Sequence, residues 1–313
     1  MRDQAEGLRT LMKHTGAGRD VQSPRPASPL ATPWEGCPQV FSVASGKGGV
    51  GKTNVVANLA FAFTRLGKRI LVLDADLGLA NIDVLLGLTP QYTIEHLLNR
   101  SKTFSDILIK GPGGMFIMPA SSGVLELVDL KEHQKLFLLN EIDLLADQID
   151  ILLIDTAAGI SSNVLYFNVA AQESIIVVTP EPTSITDAYA LIKILNTKFE
   201  KKSFMILVNL VEDDEEAREV FRKISLVADR FLDHLSIDYL GFIPYDEKLP
   251  LAVKQQRAVL ELFPRASSSR GFMALAKRLA AKPVHSKGNG QIQFFWKELL
   301  QCRPLWDQKG EIG

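Results

Sequence analysis

The chain has 313 residues, of which 46% are hydrophobic and 23% charged, with a formal net charge of -1. That length supports one large α/β domain or two small ones around a substantial core. The composition is that of an ordinary soluble protein, and the near-neutral charge excludes nucleic-acid binding through bulk charge.

The N-terminal MRDQAEGLRT is charged and lacks an apolar stretch, so it does not read as a secretory signal. Within residues 1–13, Ala5, Leu8, Leu11 and Met12 fall on one face of an expected short helix. Residues 14–37 carry Pro24, Pro26, Pro29 and Pro33 among Gly, Ser and Ala, the composition of a linker. From residue 38 to 282 short β-rich runs alternate with helical stretches. Strands are expected at 40–44, 69–73, 115–118, 151–154, 174–179, 204–209 and 238–243, and helices near 52–66, 131–147, 161–171, 184–199, 214–232 and 268–281. Such alternation implies crossover units: an α/β fold with a mainly parallel central sheet flanked by helices. No apolar run reaches the ~20 residues of a membrane span. The two cysteines, Cys37 and Cys302, form no CxxC pair, which argues against a zinc ribbon and fits a reducing cytoplasm.

The residues 283–313 form a second linker and a last apolar cluster. On a helical wheel Ile292, Phe295, Trp296, Leu299 and Leu300 share one face, opposite Gln293, Lys297 and Gln301. Aromatics beside a polar face suit a helix lying in a membrane interface. The pairing of Lys297 with Glu298 weakens attraction to anionic lipid, and packing on the chain's own domain stays an alternative.

Chemistry concentrates at Gly46-Lys47-Gly48-Gly49-Val50-Gly51-Lys52-Thr53. This segment follows an expected strand and opens an expected helix, the context a phosphate-binding loop requires. Glycines let backbone N–H groups turn inward around phosphate oxygens, and the helix N-terminus adds partial positive charge. Lys52 is expected on the β- and γ-phosphates, and the Thr53 hydroxyl on Mg²⁺. Asp74 and Asp76 follow the strand 69–73, at the carboxyl end where open α/β sheets bind ligands. Asp76 is the candidate for orienting the attacking water, and Asp74 for supporting the loop and the metal shell. Ile151-Leu152-Leu153-Ile154-Asp155 reads as a strand delivering a carboxylate to Mg²⁺. Asn209, ending the strand 204–209, offers an amide suited to an adenine edge.

Lys47, a second lysine inside the loop, is not needed for cradling phosphate. KGGVGKT resembles the deviant Walker A motif of the MinD/ParA/NifH class of P-loop NTPases, the SIMIBI type. That resemblance implies an ATPase whose extra lysine reaches across a homodimer to the partner's nucleotide. It implies the water-positioning role for Asp76 and metal contacts for Thr53, Asp76 and Asp155. It also implies adenine contacts at Asn209 and the Pro244-Tyr245-Asp246 loop. The switch loop Thr156-Ala157-Ala158-Gly159-Ile160 departs from the class by lacking a proline near Ala157. The resemblance spans about residues 38–281, with DADLGLANIDVLLGL and GFIPYDEKL similar to MinD.

The ends narrow the resemblance. Asp3-Gln4-Ala5-Glu6-Gly7-Leu8-Arg9 resembles the DQAxxLR start of the FlhG (FleN/YlxH) family of flagellar-number regulators. There the segment activates FlhF, an SRP-type GTPase, which implies contacts through Gln4 and Arg9 with Leu8 packing. The resemblance further implies a C-terminal helix on the inner membrane surface, a reversibly peripheral location, and flagellar switch proteins or a flagellar transcription factor as possible partners. No specific nucleic acid is expected. A ParA-type partitioning protein would need a DNA-binding patch, yet Lys254, Arg257, Arg265, Arg270, Lys277 and Arg278 are interspersed along helices. A MinD-type division regulator lacks the N-terminal motif. The cysteine count disfavours an iron–sulfur carrier, and the intact Lys47, Lys52, Thr53 and Asp76 disfavour a scaffold that only binds nucleotide.

Overall fold

A computed structural model gives the fold, describing residues 38–76, 81–92, 94–118, 137, 141, 148–232 and 235–282. The chain divides into a unit of residues 1–35 and a unit of residues 36–313. The expected helix at 1–13, the linkers and the amphipathic helix at 292–300 lie outside the described residues. So does most of the expected helix at 131–147, whose Phe137 and Glu141 are helical.

The strands are β1 (Gln39–Ser45), β2 (Ile70–Ala75), β3 (Ile109–Lys110), β4 (Phe116–Met118), β5 (Ile151–Ala158), β6 (Glu173–Val178), β7 (Ser203–Val211) and β8 (Ser236–Pro244). They form one sheet in the order β3-β4-β2-β5-β1-β6-β7-β8 among the described residues. Every neighbouring pair is parallel except β3–β4. The helices are α1 (Lys52–Arg65), α2 (Ile82–Leu85), α3 (Ile94–Leu98), α4 (Phe104–Ile107), α5 (Ser162–Ala170), α6 (Pro182–Phe199), α7 (Asp214–Phe231), α8 (Lys248–Lys254), α9 (Val259–Leu262) and α10 (Ser267–Ala280).

Parallel strands buried on both faces explain the continuous apolar runs. Val43, Val72, Leu153 and Val177 point into a core closed by α1 and α10. Their neighbours Leu71, Leu73, Leu152 and Ile154 pack on the other face against Phe167 and Ala170 of α5. Ile176, Val178, Ile206 and Val208 continue that face beneath α6 and α7. The seven expected strands and the long helices expected at 52–66, 161–171, 184–199, 214–232 and 268–281 are found to within a few residues. Helix α6 starts earlier than its apolar pattern, because Pro182 occupies its first turn. The remaining differences are strand β3, of two residues, and helices of four to seven residues, all shorter than the window in which periodicity declares itself.

Local signals set the ends. Asp213 caps α7 by accepting a hydrogen bond from the Glu216 amide at 2.9 Å, and Asp214, Glu215 and Glu216 fill its first turn. Asn58, on α1, is 1% exposed. Its carbonyl oxygen accepts from the Val259 amide at 2.7 Å while its amide donates to the Asn54 carbonyl at 2.9 Å. It therefore ties the helix behind the phosphate loop to α9. Replacing it with Ala orphans a buried N–H, and Asn58→Ala is expected to lower unfolding free energy by about 1–3 kcal/mol in urea titration.

Candidate active site

The phosphate loop occupies the bend between β1 and α1. Gly51 sits at φ 83°, where a side chain is strained, and a Cβ there would lie 2.6 Å from the Asn209 amide nitrogen. At Gly46 a Cβ would come within 2.1 Å of the Asp187 carbonyl carbon. The loop is thus wedged between α6 and the end of β7, and only glycine closes it.

Lys52 and Asp155 meet beneath this loop. Lys52 opens α1 and Asp155 lies within β5, opposite Val43 of β1 and Asp74 of β2. The two side chains form an ion pair, with exposures of 7% and 0%. Burial pushes the Asp155 carboxyl up, and the Lys52 ammonium and the Thr53 hydroxyl act in the opposite direction. The second carboxylate oxygen of Asp155 is buried with no hydrogen-bond partner. Asp76 lies near enough for its charge to push Asp155 further up.

Asp74 has a different task. Its carboxylate accepts hydrogen bonds from the amides of Asp76, Asn81 and Ile82 at 3.1, 3.1 and 3.2 Å. It thereby pins both ends of the segment that leaves β2. Burial, and then the charge of Asp155, raise its pKa to about 6 despite those three bonds.

Lys47 points away from the cradle. Its ammonium donates to Glu181 Oε2 at 2.6 Å and to Thr183 Oγ1 at 3.0 Å. Glu181 precedes α6, which begins at Pro182. Residue-by-residue reading missed both partners. The available signal was a carboxylate shortly after the carboxyl end of a parallel strand, the logic that selected Asp74 and Asp155.

At the far side of the loop, Asn209 is 3% exposed and donates to the Val50 carbonyl at 2.8 Å. Its carbonyl oxygen is buried and unpartnered, a free acceptor for an exocyclic amine. Pro244 ends β8, and the next residue, Tyr245, returns its amide to the Val211 carbonyl at 2.8 Å. The Asp246 carboxylate is spent on the fold. It accepts from the Ser267 hydroxyl and from the Ser268 hydroxyl and amide at 2.8–2.9 Å, anchoring the start of α10. Burial would raise its pKa, but these donors and the Lys248 amide hold it at about 2. The structure thus gathers Gly46 through Thr53, Asp74, Asp76, Asp155 and Asn209 around one loop. The sequence-proposed contacts at residues 4, 8, 9 and 292–300 lie outside the described residues.

A glycine-rich loop at a helix start, a lysine beneath it, carboxylates on adjacent strands and a second lysine in the loop define a P-loop ATPase of the deviant Walker A kind. Comparison with known proteins agrees. The ParA family model, described as NUBPL iron-transfer P-loop NTPase, matches residues 36–280. Antiactivator FleN of Pseudomonas aeruginosa is 48% identical over 84% of this chain and 94% of its own. The flagellum site-determining protein YlxH of Helicobacter pylori is 32% identical over 85% and 91%. Among solved structures, the MinC:MinD cell division complex of Aquifex aeolicus aligns with a TM-score of 0.59 at 29% identity, covering 80% of this chain and all of that one. MinD of Pyrococcus horikoshii, solved with Mg-ADP, shares the fold at a TM-score of 0.60 and 22% identity, over 78% of this chain and 96% of that one. The chain belongs to the MinD/ParA family of P-loop ATPases, in its FlhG (FleN/YlxH) branch.

The raised Asp74 pKa has a consequence for stability. Its folded value, about 6, lies above the ordinary 3.8, so ionisation costs more in the folded state. The linkage contribution is absent below pH 4 and becomes unfavourable as pH rises toward 6, reaching about 3 kcal/mol. The stability of the nucleotide-free wild type minus that of Asp74→Asn is expected to fall across this window in urea titrations at pH 4.5, 5.5 and 6.5.

Proposed function

We propose that this ATPase is a dimerising switch that sets the number and placement of flagella. The observation that carries this reading is the likeness to FleN across most of the chain, reinforced by YlxH. The loop supplies a mechanism. Lys47 is held within its own chain by Glu181 and Thr183. Lys52 neutralises Asp155. A bound triphosphate offers Lys52 a competing anion, drawn in by the loop amides and the start of α1. Lys47 then leaves Glu181 and extends to the nucleotide of a second copy. Asp76 orients water for attack on the γ-phosphate, a step that depends on positioning more than on basicity. Asn209 accepts a hydrogen bond from the adenine amine through its open carbonyl oxygen.

Mg²⁺ suits the residues present. Thr53 offers a hydroxyl, and Asp155 an unpartnered buried oxygen, with Asp76 beside them. This is the sparse donor set that magnesium completes with phosphates and water. When bound, the ion neutralises charge developing on the phosphates.

The N-terminal residues 1–13 stimulate an FlhF-type SRP GTPase through Gln4, Leu8 and Arg9. The helix carrying Ile292, Phe295, Trp296, Leu299 and Leu300 attaches the ATP-bound dimer to the inner membrane surface. The protein then cycles between cytoplasm and membrane, where switch proteins of the flagellum or a flagellar transcription factor meet it. No helix among the described residues is long and apolar enough to cross a membrane. The alternative, a MinD-type division-site or ParA-type partitioning ATPase, shares the switch and differs in partners.

Turnover of an FlhF-type GTPase, with and without a peptide spanning residues 1–20, tests the flagellar assignment. Stimulation supports it, and no effect at excess peptide returns the chain to a MinD/ParA ATPase of another pathway. The latch is tested separately. The Lys47–Glu181 pair is partly exposed and is worth about 0.5–1 kcal/mol. Glu181→Gln is therefore expected to lower the ATP needed for half-maximal dimerisation by about two- to fivefold, read by light scattering. An unchanged titration removes the latch from the mechanism.

A further inference from the structure

The segment 156–161 ends β5, leads into α5 and lies against the phosphate loop. The Gly159 amide donates to the Ser45 carbonyl at 2.9 Å, and the Ser45 hydroxyl donates to the Lys47 carbonyl at 2.9 Å. The segment closes at Ser161, which caps α5 through the Val164 amide. A shift of α5 along the sheet therefore shifts this switch loop. The apolar residues of α5 do not fix its rotation. Val164, Leu165, Phe167 and Ala170 are buried, Tyr166 is half-buried, and Val169 is 38% exposed. Apolar side chains thus point all round the helix, and hydrophobic burial alone prefers no single face.

Polar contacts supply the missing specification, and they converge on Asn168. Its side-chain oxygen accepts from the Ser42 hydroxyl of β1 at 2.9 Å, and its amide donates to the Val164 carbonyl at 2.8 Å. Ser42 shares a further 2.9 Å hydrogen bond with Ser174 of β6. Asn168, Ser42 and Ser174 have no solvent exposure. The Asn168 backbone carbonyl accepts from Lys201 Nζ at 2.5 Å, and the same ammonium donates to the Ala171 carbonyl at 2.8 Å. These carbonyls close the last turn of α5, where acceptors lack helical partners and a cation is favoured. Lys201 is itself fixed in the turn between α6 and β7. Its amide donates to the Leu195 carbonyl at 3.1 Å, and its carbonyl accepts from the Asn196 side chain at 3.1 Å. Burial lowers its pKa to about 8, against the charge of Glu173, so the ammonium is held there at an energetic cost.

We propose that Asn168 and Lys201 are positioning residues for ATP hydrolysis, which lock α5 to β1 and β6 and thereby hold the switch loop against the phosphate loop. Ser42 lies three residues before Ser45 on β1. The strand that enters the phosphate loop therefore grips α5 at its base and the switch loop at its tip. A fully bonded polar network in an apolar layer fixes one arrangement, where apolar packing tolerates several. Lys201 precedes the amino end of β7, whereas the phosphate loop follows the carboxyl end of β1, and the strands from β1 to β7 are parallel. The two sites stand at opposite edges of the sheet. Their influence falls on the geometry of the reacting groups and leaves the grip of residues 46–53 on phosphate intact.

Steady-state ATP hydrolysis by the full chain, beside ATP affinity measured with a fluorescent ATP analogue, tests this. Lys201→Met keeps the length of the side chain and removes its charge. It is expected to lower kcat about three- to tenfold, with ATP affinity within about twofold of the wild type. Lys201→Arg, which can donate to both carbonyls, is expected to restore most of the loss. Ser42→Ala removes the grip from the sheet side at little change in volume. It is expected to lower kcat in the same direction at unchanged affinity, and it carries the test if Lys201→Met folds poorly. Amide hydrogen exchange across residues 156–161 is expected to quicken in both variants while the strands stay protected. An unchanged kcat in the folded variants, a matching loss of ATP affinity, a loss that Lys201→Arg does not relieve, or unchanged exchange across 156–161 would overturn the proposal.

Discussion

A carboxylate with no solvent exposure sits in a central strand near the phosphate loop, and the nucleotide site is organised around the need to compensate it. Asp155 is fully buried, and Lys52 supplies the opposite charge. A buried pair of this kind is weak evidence for stability, because desolvation cancels much of its attraction. Its better explanation is a reserved position. The phosphate loop keeps its lysine buried beneath it, and a carboxylate oxygen stays open beside the Thr53 hydroxyl. Phosphate and metal can then enter by exchanging partners without leaving either charge unmatched.

The two lysines of the loop are held by different means. Lys52 is buried and its partner lies in the sheet, so its state is decided by what enters the cradle. Lys47 is partly exposed and its partners stand before and within α6, a few residues beyond the tip of β6. An exposed pair is cheap to break, which suits the exchange of partners proposed for Lys47. Asp187 of α6 also presses on Gly46. The start of one helix therefore touches both the loop backbone and the Lys47 ammonium.

Much of this could be read from the sequence. The loop Gly46 through Thr53 declares itself because phosphate binding needs glycines, a lysine and a helix start in fixed order. The strands carrying Asp74 and Asp155 are continuous apolar runs, so their terminal carboxylates stand out. What could not be read were contacts across long separations. Glu181 is 134 residues from Lys47, and although its place just after a strand's carboxyl end marks it as a candidate, nothing local pairs it with that lysine. Asn209 was legible as a polar group at a strand end, but its amide proved to brace the Val50 carbonyl, leaving only its oxygen for a base. Asp246 was legible as a loop residue, while its role in anchoring Ser267 and Ser268 depends on where α10 begins. Elements of a few residues, such as β3 and α2, carry no period to detect.

The central claim is that ATP, held but not hydrolysed, joins two copies of this chain through Lys47. The most direct measurement is the molar mass of Asp76→Ala by multi-angle light scattering with ATP and Mg²⁺, beside the same protein with ADP. The account predicts a dimer with ATP and a monomer with ADP. A monomer under both conditions, with ATP binding verified, would contradict it.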